Sequence, residues 1–278
     1  MNTAFSSRKL LVTLSFIVSI ALALAGCGGG SSSTTDTSKS FSNCYSDTNP
    51  GNSTNLFGNF IVSTDIWNPT AATSYSECIN ATVDLNLGVQ SAQFDWTIVS
   101  SSNQVITYPN LQFGQQPGLP KHSTSRLPVL VSSMPNLNVT GTINTTCTTG
   151  VPCSFDSGFD IFFSATNPPS YPPKSELMIL TSYDLGGYQP PSTLTATING
   201  TTFIIRLATI TNPNYSWPLV QYFATTPITQ LNLNIKDFVA DALNRGYVAP
   251  TDYLDVVEIG TEVGYGQGTT VITDYNIQ

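Results

Sequence analysis

Charged residues are scarce in this chain. They make up 9% of its 278 residues, whereas roughly 25% is usual for a globular domain. The nine Lys and Arg are outnumbered by 17 Asp and Glu, which leaves a formal net charge of −8. Because binding to nucleic acid needs clustered cationic side chains, this composition argues against a nucleic-acid partner. The polar surface must come from amides and hydroxyls, which is typical of secreted β-proteins and suits an uncharged ligand.

Histidine and glutamate are also rare. The single histidine, His122, lies in a Pro- and Gly-rich stretch. It supports neither a Ser-His-Asp triad nor a zinc site, because each of these needs further partners. We therefore expect no metal site, and chemistry that rests on carboxyl groups would need no organic cofactor either. The chain holds only four glutamates, which are Glu77, Glu176, Glu258 and Glu262.

The N-terminal segment has the features of an export signal. A basic pair, Arg8 and Lys9, precedes an almost wholly apolar run at 10–25, which is too short for a good membrane span. The run ends in Leu-Ala-Gly-Cys, which resembles the lipobox of bacterial lipoproteins, and Cys27 would become the lipidated first residue. We expect a signal peptide at 1–26 and a lipid anchor in the cell envelope, at the outer membrane or cell surface. An ordinary signal peptide with a chance cysteine is the alternative.

Residues 27–42 are rich in Gly, Ser and Thr and are predicted to be a flexible tether, which leaves one domain at 43–278. Four cysteines remain in the exported part, and an even number predicts two disulfides. Three pairings are possible, and we favour Cys44–Cys78 and Cys147–Cys153. The sequence carries no signal for an oligomer, so we expect a monomer.

Short runs of β-branched and aromatic residues recur between Pro, Gly and Asn turns, a pattern typical of a β-sandwich or barrel. Strands are predicted at 93–100, 127–133, 137–146, 159–165, 176–181, 194–199, 203–210 and 271–277. A single helix is predicted at 235–245, where the apolar residues fall on one stripe, Asn234 can cap the start and Gly246 the end. The expected fold is all-β with one helix packed on a sheet.

Two glutamates have surroundings that suggest a cleft. Glu176 begins the run Glu-Leu-Met-Ile-Leu, and in a strand it would share one face with Met178. A carboxylate in so apolar a strand is costly unless that face lines a cleft. Glu262 lies in Gly-Thr-Glu-Val-Gly, where small neighbours leave room for a ligand to approach the backbone.

At these two segments the sequence resembles glycoside hydrolase family 12. Residues 176–179 match the start of the family's Glu-Leu-Met-Ile-Trp strand, and residues 260–262 match the start of its Gly-Thr-Glu-Pro-Phe segment. Further similar stretches follow in the family's order, at 60–79, 105–114, 159–163 and 183–190. The resemblance covers the chain from about Cys44 to the C-terminus.

The resemblance implies a β-jelly roll of two curved antiparallel sheets. It also implies retaining endo-hydrolysis of a β-1,4-glucan, such as cellulose chains, mixed-linkage glucan or xyloglucan. Glu176 would be the nucleophile, Glu262 the acid/base, and Asp160 the neighbour that hydrogen-bonds the nucleophile. In a retaining enzyme the two glutamate carboxyls lie roughly 5–5.5 Å apart.

Three side chains are the candidates for substrate contact. Trp67 occupies the position of the family's first-strand tryptophan, and Trp217 is a further tryptophan on which a sugar ring could stack. Met178 points to the same face as Glu176, where it would floor a subsite or pack in the core. Trp96 shares a strand face with apolar residues and is expected in the core.

The chain departs from the family pattern at three places. Leu180 replaces a Trp, Val263-Gly264 replaces Pro-Phe, and Asp65-Ile66 replaces Asn-Asn, all at positions that shape the sugar subsites in the family. Glu258 is the internal competitor for the acid/base role. Two other functions stay open, a non-catalytic glycan-binding lipoprotein on the same fold and a structural or adhesive β-sandwich without sugar affinity.

Overall fold

The computed structural model describes residues 37–102, 104–187 and 192–278. The predicted signal peptide, the Cys27 anchor and most of the predicted tether lie outside the described residues. Within the described ranges no helix is long and apolar enough to cross a membrane.

The strands are β1 Ser38–Ser46, β2 Thr54–Phe57, β3 Phe60–Ser63, β4 Ser74–Asp84, β5 Gly88–Val99, β6 Asn110–Gly114, β7 Val129–Leu130, β8 Asn138–Cys147, β9 Ser154–Ser164, β10 Ser175–Leu185, β11 Thr195–Ile198, β12 Thr201–Asn212, β13 Tyr215–Ala224, β14 Gln230–Asn234 and β15 Tyr253–Ile277. Helix α1 is Ile235–Asn244, and short 3-10 turns lie at Pro69–Ala71 and Val131–Ser133.

These strands form two sheets that share the long strand β15. The first sheet has the order β1-β4-β5-β15-β8-β14 and uses the second half of β15. The second has the order β2-β3-β6-β15-β9-β10-β13-β12-β11 and uses the first half. Every pair among the described strands is antiparallel except β10 with β13, which is parallel. The predicted all-β sandwich of two sheets with one helix is confirmed, with this parallel pair as a departure from purely antiparallel sheets.

Strand alternation separates the core from the opposite face of the second sheet. Ile161 of β9 and both Leu177 and Ile179 of β10 are fully buried in one cluster with Phe94 of the first sheet. Successive side chains in a strand point to opposite faces. The residues between them, beginning with Glu176, therefore face away from the core.

Helix α1 begins and ends close to the prediction. The Asn234 side chain accepts a hydrogen bond from a backbone N–H of the first turn at 3.2 Å, which satisfies a donor that the helix leaves free. Gly246 follows the helix with a φ of 79°, a conformation that glycine adopts without a Cβ penalty. Phe238 packs edge-on against Phe203 with ring centres 5.1 Å apart. The helix thus covers core residues of the second sheet.

Both disulfides have the favoured pairing. Cys44 of β1 and Cys78 of β4 lie directly opposite each other in the first sheet and are bonded. Cys147 ends β8 and is bonded to Cys153, which directly precedes β9. One bridge therefore joins neighbouring strands, and the other closes the turn that leads from the first sheet into the second.

The folded part begins earlier than the sequence predicts. The sequence predicts that residues 38–42 are part of the tether, but they belong to β1 and pair with β4 from Ser38 onward. Ser40 and Ser42 contact polar side chains of β4, while Phe41 packs against the core. A polar outer face therefore makes this strand resemble a linker in composition.

The strand predicted at 127–133 is much shorter in the structure. Only Val129–Leu130 pairs with β15. The backbone N–H of Val131 donates to the Asp252 carbonyl instead of a strand partner, and a 3-10 turn follows. The apolar composition of this segment reflects burial against the core rather than regular strand pairing.

Candidate active site

Glu176 lies near the start of β10, on the face turned away from the core. Its side chain is only 7% exposed. The indole Nε1–H of Trp217, on the neighbouring strand β13, donates to Oε2 of Glu176 at 2.6 Å. A hydrogen-bond donor on a carboxylate favours its charged form. This contact therefore stabilises Glu176 as an anion.

Asp160 lies beside Glu176, opposite Met178 across the β9–β10 pair, and its carboxyl group hydrogen-bonds that of Glu176. Burial raises the pKa of Glu176 to about 7, while the hydrogen bonds from Trp217 and Asp160 lower it. Burial also raises the pKa of Asp160 well above its usual range, and repulsion by Glu176 raises it further. Because two carboxyls can share a hydrogen bond only when one is protonated, Asp160 keeps the proton and donates to Glu176.

Glu262 lies on β15, directly opposite Asp156 of β9. The two carboxyl groups are hydrogen-bonded to each other. Burial raises the pKa of Glu262 well above its usual range, and repulsion by Asp156 and Glu176 raises it further. Burial raises the pKa of Asp156 to about 7, whereas the hydrogen bond from Glu262 lowers it. Glu262 therefore holds the shared proton and donates a hydrogen bond to the Asp156 carboxylate.

The residues before Glu262 fix the path of its strand. A Cβ at Gly260 would collide with the carbonyl oxygen of Pro109, so only glycine lets β6 and β15 approach this closely. Thr261 is fully buried, and its hydroxyl contacts the hydroxyl of Ser157 on β9 at 2.8 Å. With Thr261 directed inward, alternation directs Glu262 to the same face as Glu176.

The segment that carries Trp67 lies next to the acid/base candidate. Trp67 is 56% exposed, as a platform for a sugar ring requires. Asp65 has a φ of 42°, which is uncommon for a residue other than glycine. Desolvation raises the pKa of Asp65 to about 6, and its charge in turn raises the pKa of Glu262. This segment therefore forms a wall of the site near Glu262.

Trp217 and Met178 lie beside Glu176 but have little exposed surface. Trp217 is 9% exposed and stacks on Tyr215 with ring centres 5.4 Å apart. The sulfur of Met178, which is 2% exposed, accepts a hydrogen bond from the amide Nε2 of Gln221 at 3.2 Å. Both side chains lie beside the nucleophile candidate, Glu176, and present little surface to a substrate. The exposed aromatic of this cluster is Tyr171, which meets the edge of Trp217 at 6.0 Å.

Glu258 is less accessible than Glu262. It lies opposite Asp160 and is 1% exposed. Neither of its carboxyl oxygens has a hydrogen-bond partner among the described residues. Burial raises the pKa of Glu258 well above its usual range, so it is a neutral acid. Within the described ranges no group of three or more His, Cys, Asp and Glu could hold a metal ion.

The motifs do not reveal two contacts of this site. Asp156 shares a strand face with Asp160, and that parity is the only signal in the sequence for its presence here. The bond from Trp217 to Glu176 joins strands 41 positions apart in the chain. Finding either contact requires the pairing register of β9, β10, β13 and β15.

Comparison with known proteins identifies relatives of this chain in sequence and in structure. The sequence profile of glycosyl hydrolase family 12 matches residues 58–278. Endoglucanase S of Pectobacterium parmentieri is 24% identical over 229 residues, which cover 80% of this chain and 83% of that protein. The structure is similar to a family 12 xyloglucanase from Bacillus licheniformis (TM-score 0.70, 20% identity, 82% of this chain and 99% of that one). It is also similar to an endoglucanase from Rhodothermus marinus (TM-score 0.66, 27% identity, 86% of this chain and 98% of that one). Because the profile covers most of the chain, this protein belongs to glycosyl hydrolase family 12 and is a glycoside hydrolase.

Proposed function

We propose that this protein is an exported enzyme that cuts β-1,4-glucans within the polymer and retains the anomeric configuration. The observation that carries the proposal is that Glu176 and Glu262, on one face of the second sheet, have environments that favour opposite protonation states. Glu176 receives hydrogen bonds from Trp217 and Asp160, which favour its anion, whereas burial and Asp156 oppose the ionisation of Glu262 and raise its pKa well above the usual range. Retaining glycosidases need one carboxylate and one carboxylic acid in this way.

In the first step, the Glu176 carboxylate attacks the anomeric carbon of the sugar. The bond from that carbon to the glycosidic oxygen breaks, and Glu262 transfers its proton to the departing oxygen. The product is a glycosyl ester on Glu176 and a shortened glucan with a free hydroxyl. Asp160 and Trp217 keep the nucleophile oriented, because both donate to its carboxyl group.

In the second step, Glu262 acts as a base. Esterification of Glu176 removes its negative charge, so the pKa of Glu262 falls through the loss of that repulsion. Glu262 then takes a proton from a water molecule, whose oxygen attacks the anomeric carbon. The ester bond breaks, Glu176 returns as a carboxylate, and two inversions leave the configuration unchanged.

The surface and the relatives both support the proposed substrate class. Endoglucanase and xyloglucanase are the activities named for similar proteins. The exposed aromatic rings of Trp67 and Tyr171 suit stacking with the C–H faces of sugar rings. With 9% charged residues overall, the protein suits a neutral polysaccharide. No metal or organic cofactor enters the proposed steps.

The proposal includes export as a lipoprotein. The lipobox-like sequence ending at Cys27 supports a lipid anchor in the outer membrane or at the cell surface. A Cys27→Ser variant tests this, because it should lose labelling by a radioactive fatty acid and move from the membrane fraction to the soluble fraction. A variant that stays in the membrane fraction would contradict lipid anchoring.

The deciding experiment measures reducing ends released from carboxymethylcellulose, barley β-glucan and xyloglucan. Wild type should cut at least one of them, and Glu176→Gln and Glu262→Gln should each lose nearly all activity. Proton NMR of the first products should show the β-anomer, as retention requires. Inversion would refute the double displacement.

The same assay distinguishes the proposed enzyme from a non-catalytic glycan-binding protein that has the same fold. Such a protein would be retarded in gels that contain a β-glucan but would release no reducing ends. A structural or adhesive protein would be neither retarded nor active. Either result from wild type would remove the enzymatic proposal.

A further inference from the structure

Glu77 is a buried glutamate that the proposed reaction does not use. It lies on β4 in the first sheet and is completely inaccessible to solvent. Its carboxyl Oε2 is hydrogen-bonded to the hydroxyl of Thr107, which is also completely buried. Thr107 lies in the segment between the two sheets, just before β6. Glu77 therefore reaches from the first sheet to a residue next to the candidate active site.

The oxygen atoms around the Thr107 hydroxyl favour a neutral Glu77. The Thr107 hydroxyl lies 3.1 Å from the carbonyl oxygen of Thr64 and 3.3 Å from that of Asp65. Both oxygens only accept, and a hydroxyl has one hydrogen to donate. If Glu77 is protonated, it donates to the Thr107 oxygen, and Thr107 donates to Thr64. An ionised Glu77 would instead compete with the two carbonyls for a single hydrogen.

Burial agrees with this protonation state. It raises the pKa of Glu77 well above its usual range, and the charge of Asp65 raises it further, while donation from the Thr107 hydroxyl to an ionised Glu77 opposes this rise. The titratable groups placed against Glu77 are Asp65 in the site wall and Tyr45 opposite it on β1. Neither is a cation that would stabilise an ionised Glu77.

Thr107 connects both parts of the site near the acid/base candidate. The backbone N–H of Val263, the residue after Glu262, donates to the Thr107 carbonyl at 3.0 Å. On its other side, Thr107 forms a β-bridge with Ile66, the residue before Trp67. A shift of Thr107 would therefore move the Glu262 strand and the Trp67 segment together.

We propose that Glu77 is a positioning residue for catalysis, which as a neutral acid fixes Thr107 and, through Thr107, the acid/base Glu262 and the Trp67 segment. This inference rests on the proposed function of Glu262. A purely structural role would change stability only. A positioning role also changes how strongly the rate depends on proton donation to the leaving group.

The test compares Glu77→Leu with Glu77→Gln in the purified protein. Leucine keeps a similar size without a polar group, whereas the glutamine amide still donates to Thr107. Barley β-glucan has an alcohol leaving group that Glu262 must protonate, whereas 2,4-dinitrophenyl β-cellobioside has a leaving group that departs without a proton. Glu77→Leu should lose between about tenfold and a hundredfold in kcat/KM on β-glucan, as expected for a misplaced catalytic group. Its kcat/KM on the dinitrophenyl substrate, which reports formation of the glycosyl ester but not the later step in which Glu262 acts as a base, should stay close to that of wild type. Glu77→Gln should match wild type on both.

Equal losses of Glu77→Leu on the two substrates, or no loss, would overturn the inference, and so would a Glu77→Gln variant as impaired as Glu77→Leu. If Glu77→Leu does not fold, Thr107→Val removes the same contact from the other side with little change of shape. Thr107→Val should then show the selective loss on β-glucan, and a wild-type ratio of the two rates would overturn the inference. If wild type cleaves neither substrate, the proposed function itself fails.

Discussion

Replacing Trp217 with phenylalanine removes the indole donor from the proposed nucleophile and keeps an aromatic ring in place. The lost contact is the 2.6 Å bond from Nε1 to Oε2 of Glu176. Phenylalanine can still pack against Tyr215 and Tyr171, which surround the indole ring. The substitution therefore isolates the effect of one hydrogen bond on one carboxylate.

The expected effect is a shift of the acid limb of the pH-rate profile. Hydrogen bonds to charged groups contribute about 1.5–3 kcal/mol, and one pKa unit corresponds to about 1.4 kcal/mol. Removing a donor disfavours the anion, so the pKa of Glu176 rises from about 7 by roughly 1–2 units. Because Glu176 must be ionised to attack, the acid limb moves to higher pH by the same amount. At a pH well below that limb, kcat/KM falls by about tenfold to a hundredfold relative to wild type.

The assay is kcat/KM on barley β-glucan as a function of pH, which reports ionisations of the free enzyme. Trp96→Phe is the matched control, since Trp96 is 2% exposed and its Nε1 has no hydrogen-bond partner among the described residues. This control loses the same atoms from a buried ring that packs against Phe155. It should lower stability without moving the acid limb.

The reasoning fails if the acid limb of Trp217→Phe coincides with that of wild type. It also fails if Trp96→Phe shifts the limb equally, because the effect would then come from lost packing.

Three further predictions concern the carboxyl pairs and the first disulfide. Asp156→Asn removes the charge that repels an ionised Glu262, so the pKa of Glu262 falls; carbon-13 NMR of labelled glutamate carboxyls should show Glu262 titrating at lower pH than in wild type, and an unchanged titration would contradict the pairing. Glu258→Gln exchanges a neutral buried acid for a neutral amide, so kcat should stay within roughly tenfold of wild type; a loss as complete as that of Glu262→Gln would reopen the acid/base assignment. Changing Cys44 and Cys78 to serine opens a loop of 34 residues. The chain-entropy estimate predicts that this lowers the free energy of unfolding by roughly 4 kcal/mol. Urea unfolding measures the change, and a value below about 1 kcal/mol would contradict the estimate.

Local patterns in the sequence were enough for the fold class and for several elements. The helix at Ile235–Asn244 follows from its apolar stripe and its caps, and residues that alternate between apolar and polar predict strands wherever one face is buried. The favoured pairing of Cys44 with Cys78 agrees with their positions, which lie directly opposite each other on β1 and β4. Composition failed at β1, because a strand whose outer face carries serines resembles a linker.

The sequence also identified Glu176 and Glu262 as the carboxyls to test, since each lies in a short motif with a recognisable resemblance. Such motifs depend on a few consecutive residues and can be read without knowing which strands become neighbours. The environment of each carboxyl, in contrast, depends on residues that are distant in the chain. Glu176 accepts a hydrogen bond from Trp217, 41 positions away in the chain. The pKa of Glu262 is raised by burial and by Asp156, which lies on another strand.

Only the tertiary structure decided these contacts, because a strand's partners and register depend on long-range pairing of the whole sheet. A shift of one residue in register would turn Asp156 to the core and leave Glu262 without its hydrogen-bond partner. The contact between Glu77 and Thr107 likewise joins residues 30 positions apart, one in the first sheet and one in the segment that precedes β6. The sequence by itself therefore determined which groups could perform the chemistry, while the packing of two sheets decided which of them are ionised, protonated or held in place.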